Sequence, residues 1–141
     1  MNTPAADLTN HAFDLQHLLA HVAGMPPIRV AVVHPCDEPS LEGALDARRA
    51  GLIEPVLVAP RAKLESVAAA AGFDLSGIAI EDVAHSHAAA ARAAELACAG
   101  KVEALMKGSL HTDELMAAVV ARESGLRTKR RVSHCFVMQT P

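Results

Sequence analysis

The segment Leu105-Met106-Lys107-Gly108-Ser109-Leu110-His111-Thr112 gathers a cation, a glycine, two hydroxyls and an imidazole in one short stretch. That combination suits an anion. Gly108 lets a backbone come close to a ligand, the free N–H groups and dipole at the start of a following helix attract negative charge, and Lys107, Ser109, His111 and Thr112 add donors. The same residues fit a second reading equally well, in which Thr112 merely caps the helix and Lys107 extends into solvent. Asp113 and Glu114 favour a helix start but oppose a second anion. The spacing matches neither the P-loop pattern nor G-x-G-x-x-G, so neither a nucleoside triphosphate nor a dinucleotide site is indicated.

A second basic stretch, Arg127-Thr128-Lys129-Arg130-Arg131, precedes Ser133 and His134. Arg130, Arg131 and Ser133 could approach phosphate groups, since a guanidinium binds their oxygens bidentately. Equally, the run could be a solvated loop that keeps a sheet edge soluble. The histidines do not form a metal pattern. His85 and His87 stand two apart with no accompanying HExxH, and His17 and His21 share a helical face but lack a third ligand. Cys36 follows His34-Pro35 at a strand end without an identifiable base, which makes it an ordinary buried or half-buried thiol.

These residues need elements to place them. Leu15, Leu18, Leu19 and Val22 form one helical stripe that Gly24, Pro26 and Pro27 terminate. Ile28 to Val33 is a β-branched run, the pattern of a strand buried on both faces of a parallel sheet, and His34-Pro35 closes it. Ser40 then caps a helix to about Ala50, with Leu41, Ala44 and Leu45 inward. A strand at Pro55–Ala59 follows, then a helix opened by Pro60 and ended by Gly72. Next come a short strand near Ile78–Ile80 and an alanine-rich helix from about His87 to Ala99, ended by Gly100. Ala104–Met106 is a strand edge, Thr112 caps a helix through about Arg122, and Val132–Met138 alternates into a last strand. Alternating strands and helices require right-handed crossovers and a mostly parallel sheet covered on both faces, an α/β fold of three layers, α/β/α.

Composition narrows the function. With 141 residues and 51% hydrophobic content the chain amounts to one domain or less. A net charge of −3 and the absence of Trp and Tyr argue against nucleic acid as a partner. Three cysteines without C-x-x-C spacing suggest neither a disulfide framework nor a zinc ribbon, and fit a reducing cytosol. Residues 1–27 lack the pattern of an export signal, and no apolar run reaches membrane-spanning length, so a cytoplasmic protein without a membrane partner is expected.

From Ala104 to Met138 the order of motifs is K-G-x-x-H-T-D, an apolar helix, L-R-T with a basic pair, and then S-H-x-F-V-M. In this order it resembles the phosphate acetyl-/butyryltransferase family. Weaker similarity runs upstream through I-R-V-A-V-V-H-P at Ile28, L-E-G-A-L-D-A at Leu41 and H-S-H-A-A-A-A at His85. The resemblance implies reversible transfer of an acyl group, acetyl or butyryl, between coenzyme A and inorganic phosphate. It further implies no metal or prosthetic group, coenzyme A serving as substrate, a homodimer, and a fold similar to isocitrate and isopropylmalate dehydrogenases. On this basis residues 1–27 are an amino-terminal helical lead, and 28–141 are the first α/β domain, incomplete and truncated at its carboxy end.

Lys107, Gly108, Ser109, His111, Thr112, Arg130, Arg131 and Ser133 are then the expected phosphate or coenzyme A contacts. The family's Ser/Arg/Asp catalytic group maps onto no stretch of this sequence, so the chain alone is expected to be inactive. Two alternatives stand beside this reading: a non-catalytic anion-binding α/β domain, and an oxidoreductase of the isopropylmalate dehydrogenase type. The second would need metal-binding aspartates and a cofactor site, for which the sequence offers no candidates.

Overall fold

The computed structural model describes residues 14–138. It divides into two compact units, Pro26–Arg131 and a second one formed by the two ends of the chain. In the terminal unit, α1 (Leu15–Val22) is capped by Asp14, whose carboxylate accepts from the Gln16 N–H at 2.9 Å. The expected helix forms, but its apolar stripe is not buried: Leu15 and Leu18 are exposed. Residues 1–13 of the expected lead lie outside the described residues.

The larger unit holds a parallel sheet of β1 (Ile28–Val33), β2 (Ile53–Ala59), β3 (Ala79–Asp82) and β4 (Ala104–Lys107) in the order β3-β2-β1-β4. Ile28 pairs with Ile53 and Val30 with Ala104, so β1 is central. Its last four residues are buried, as a β-branched strand covered on both faces requires.

One face is covered by α2 (Glu38–Arg49) and α3 (Arg61–Ala71), where Val32, Leu41, Leu45, Leu57 and Leu64 form the core. The other is covered by α4 (Ser86–Cys98) and α5 (Thr112–Val120) around Ala31, Val33, Val58, Leu96 and Leu115. Ala89, Ala90, Ala93 and Ala94 are all buried on α4, and side chains this small let a helix lie close to the sheet. The three-layer α/β architecture is therefore as expected.

Some boundaries differ from the sequence reading. Asp37, not Ser40, caps α2: its carboxylate accepts the Ser40 N–H at 3.0 Å, because Pro39 is tolerated in the first turn and the helix starts ahead of it. Thr112 is the first helical residue of α5 rather than its cap. His111 holds the extended cap conformation, and no side chain caps that end. The helix stops at Val120, followed by a 3-10 turn at Arg122–Ser124.

Val132–Met138 is not a strand. Its alternation supplies the side-chain pattern, but a strand also needs a ladder for its N–H and C=O groups, and no described residue pairs with it. Val132, Phe136, Val137 and Met138 are all exposed.

Candidate functional site

The strand order dictates where a ligand can sit. The chain runs outward from β1 to β2 and β3, then crosses back to place β4 on the other side of β1. The loops leaving β1 and β4 consequently depart to opposite faces of the sheet. At such a switch point the carboxyl ends of two adjacent strands open a crevice between their loops, which is where ligands bind in open α/β sheets. Here the two loops are His34–Asp37 and Gly108–His111, so five of the expected residues fall at the switch point: Lys107, Gly108, Ser109, His111 and Thr112.

The loops are stitched together. The Gly108 N–H donates to Val33 O at 2.9 Å, and the Ser109 N–H donates to His34 O at 2.9 Å. Ser109 Oγ donates to His34 O at 2.8 Å, accepts from the Cys36 N–H at 3.2 Å, and lies 3.2 Å from His34 Nδ1. Gly108 has to be glycine: a Cβ there would stand 2.5 Å from Val33 O and 2.6 Å from His34 O. Its lack of a side chain serves this approach of one loop to the other strand's backbone.

His34 has φ 55, the one positive value outside glycine among the described residues. Histidine is among the few side chains that visit this region with any frequency, and the conformation still costs about 1–2 kcal/mol. The imidazole is buried. Burial pushes its pKa down from 6.5, the charge of Lys63 pushes the same way, and Glu114 and Asp37 push back. Burial likewise raises the Cys36 thiol, against the pull of Lys63, so Cys36 is not an activated thiolate.

Lys107, Ser109, His111 and Thr112 are exposed, and Lys107 Nζ donates to the neighbouring Gly108 O at 3.2 Å. At the start of α5 no side chain competes for the first backbone N–H groups, which leaves them for a ligand. The local field is mixed. Glu114, in the first turn of α5, buries its side chain to 10% exposure; its Oε1 accepts no hydrogen bond, and His87 Nδ1 lies 2.9 Å away outside hydrogen-bonding alignment. An anion here would meet this carboxylate as well as Lys107, so the donors of Ser109 and the helix start have to outweigh it.

No described interaction ties Arg130 or Arg131 to this crevice, and Ser133 belongs to the terminal unit. Arg130, Arg131 and Ser133 are exposed, and the bond nearest to them is the Arg130 N–H to Thr128 Oγ1 at 3.1 Å. His85 caps α4, accepting the Ala88 N–H on Nδ1 at 3.1 Å, in keeping with a structural role. Among the described residues no cluster of three or more metal-ligating side chains occurs, and no helix is long and apolar enough to cross a membrane. A hollow of about 520 Å³ lined by Arg48, Arg49, Phe73 and Asp74 opens at the amino edge of the sheet, away from these loops.

His34 and Glu114 are the site residues that the sequence did not reveal as such. The signal for His34 was its place right after the central strand, where a ligand crevice begins.

No protein-family model matches the chain. A phosphate acetyltransferase of Rhizobium meliloti is 56% identical over 124 residues, covering 88% of this chain and 39% of that protein. A phosphate butyryltransferase of Clostridium acetobutylicum is 35% identical, covering 79% of this chain and 37% of its own length. Among solved structures, the phosphotransacetylase EutD from Staphylococcus aureus superposes with a TM-score of 0.64 at 18% identity, over 89% of this chain and 46% of that one, a likeness of fold. The resemblance to phosphate acetyl-/butyryltransferases thus holds over most of the chain. The chain spans about two fifths of the length of these curated relatives.

Proposed function

We propose that this chain is part of a phosphate acyltransferase, and that its share of the reaction is to hold phosphate at the switch point between β1 and β4. The observation that carries the reading is the 56% identity to a phosphate acetyltransferase across 88% of the chain. The stitched loop of Lys107, Gly108, Ser109, His111 and Thr112 supports this location. Coenzyme A is a substrate in this reading, no further cofactor is required, and the protein is cytoplasmic and homodimeric. Residues 28–141 are the first α/β domain of the longer enzyme, preceded by a helical lead.

In the reaction a phosphate oxygen bonds to the acyl carbonyl carbon, the carbon–sulfur bond breaks, and coenzyme A leaves as a thiolate that takes up a proton. Phosphate bound by Lys107 Nζ, Ser109 Oγ and the first N–H groups of α5 would be held in place for that attack, which removes the entropic cost of bringing it to the thioester. The group that protonates the leaving thiolate, and deprotonates the thiol in the reverse direction, belongs with the donors for the carbonyl oxyanion to the remainder of the enzyme. Arg130, Arg131 and Ser133 would serve the phosphates of coenzyme A.

Two assays test this. The full reading frame containing the chain should release free coenzyme A thiol from acetyl-CoA or butyryl-CoA in phosphate, while residues 1–141 alone should remain at background. Inactivity of the full protein, with phosphate still bound, would leave a non-catalytic anion-binding domain. In the active enzyme, Lys107→Ala combined with Ser109→Ala should raise the Michaelis constant for phosphate by about tenfold or more, as expected for two lost donors to a charged group. An unchanged constant would remove phosphate from this loop.

A further inference from the structure

We propose that His34 is the positioning residue of the phosphate loop, acting through its ring Nδ1 on the hydroxyl of Ser109. The inference rests on the phosphate reading of that loop and adds to it a residue from the loop after β1, separated by 75 positions.

The argument is one of hydrogen-bond supply. Ser109 Oγ has one proton and two lone pairs, and three groups surround it: His34 O at 2.8 Å, the Cys36 N–H at 3.2 Å and His34 Nδ1 at 3.2 Å. With the proton on His34 O, the oxygen can take the Cys36 N–H on one lone pair and an Nδ1–H on the other. That assigns the neutral imidazole its Nδ1–H tautomer, and a buried ring held neutral is what this position favours.

His34 O also receives the Ser109 N–H at 2.9 Å and the closer share of the Cys36 N–H, whose one proton is divided between His34 O at 2.8 Å and Ser109 Oγ at 3.2 Å. It stays satisfied if the hydroxyl proton swings away. Ser109 can therefore turn its proton to a phosphate oxygen while its own oxygen continues to accept from Nδ1–H and the Cys36 N–H. Acceptance from Nδ1–H, together with the shared Cys36 N–H, polarises the hydroxyl and makes it a stronger donor to an anion. The left-handed backbone at His34 is what brings both its carbonyl and its ring to the same hydroxyl, and strain of this kind persists where the surroundings over-determine it.

The test uses the full-length protein, purified as His34→Gly, His34→Asn, Ser109→Ala and the two double variants, with thermal melts to establish folding. Glycine adopts the left-handed backbone freely and removes the ring; asparagine tolerates that backbone and places an amide N–H near the position of Nδ1. His34→Gly should raise the Michaelis constant for phosphate about tenfold, the size expected for one hydrogen bond to a charged ligand, with the constant for acyl-CoA unmoved. His34→Asn should recover most of that loss. In the Ser109→Ala background neither change at His34 should add to the phosphate effect, because the route through the hydroxyl is already gone.

Additive effects of His34→Gly and Ser109→Ala would overturn the inference and leave the loop assignment standing, as would a loss in His34→Gly shared equally by both substrates. A Ser109→Ala enzyme with an unchanged phosphate constant would overturn the loop assignment itself, and the role of His34 with it. Should the glycine variant fail to fold, the asparagine variant decides: a phosphate constant raised beyond the Ser109→Ala level contradicts a role confined to that hydroxyl.

Discussion

The loop at 107–112 and the basic run at 127–131 bring similar chemistry, cations beside hydroxyls, and are held on opposite terms. In the first, four backbone and side-chain bonds tie Ser109 to the loop that leaves β1, and Gly108 packs against the backbone of Val33 and His34. In the second, every residue is exposed, and the internal bond is one N–H of Arg130 to Thr128 Oγ1. A ligand meeting the first finds donors already placed. One meeting the second must order long side chains on arrival, at about 0.5–1.5 kcal/mol for each immobilised one. Positive charge in a sequence thus locates an attraction, whereas a fixed site also needs a neighbour that restrains it.

The sharpest way to break the contrast is to unseat the first loop. Gly108→Ala would drive a methyl into two backbone carbonyls that cannot move without shifting the central strand. Overpacking of this kind costs about 1–3 kcal/mol, and unyielding backbone neighbours put this case at or above the top of that range. Urea titration of the folded chain should show the loss as a lower midpoint. A change below about 0.5 kcal/mol, the scale of an ordinary surface substitution, would mean that the loop is no better anchored than the basic run.

Much of the frame around this loop was legible in the sequence, and the reasons are local. Ile28–Val33 announces a central strand by its β-branched run, and Gly72 ends α3 in the left-handed conformation that favours glycine. Leu41, Ala44 and Leu45 face inward at helical spacing, as expected. What was not legible depends on pairing. Nothing local tells that Ser109 will meet His34, or that the carbonyls beside Gly108 will come from β1. The failure at Val132–Met138 has the same origin, since alternation specifies two faces of a strand but not the partner that makes it one. Asp37 could have been identified as the α2 cap, because Asp ahead of Pro39 is a start signal that outranked Ser40 once proline was allowed in the first turn.

A second, smaller effect should appear in the pH dependence of stability. The folded-state pKa of His34 lies below its ordinary 6.5, mainly through burial. The unfolded chain then takes up the proton first, so the contribution is complete above that value and is lost as the pH falls below it. The difference between the stability profiles of the wild-type chain and His34→Asn should therefore change as the pH falls below the ordinary 6.5, the wild type losing more on acidification. Parallel profiles would mean that the imidazole titrates as freely as one in solvent, and the restrained loop would lose its buried neutral neighbour.

The smallest effect is expected from the basic run. Exposed, unrestrained guanidinium groups contribute through a screened field, and single contacts of that kind are worth about 0–1 kcal/mol. Arg130→Ala together with Arg131→Ala in the full-length enzyme should raise the Michaelis constant for acyl-CoA by roughly threefold at low salt, and by less as added salt shortens the Debye length. The phosphate constant should be unaffected, since phosphate is assigned to the other loop. A loss of about a hundredfold that resists salt would have a different meaning. It would require both guanidinium groups to be fixed against coenzyme A phosphates in bidentate pairs, with the ordering supplied by the ligand or by the rest of the enzyme. In that event the basic run would be as definite a site as the loop at Ser109, and the restraint it lacks among residues 14–138 would come from outside them.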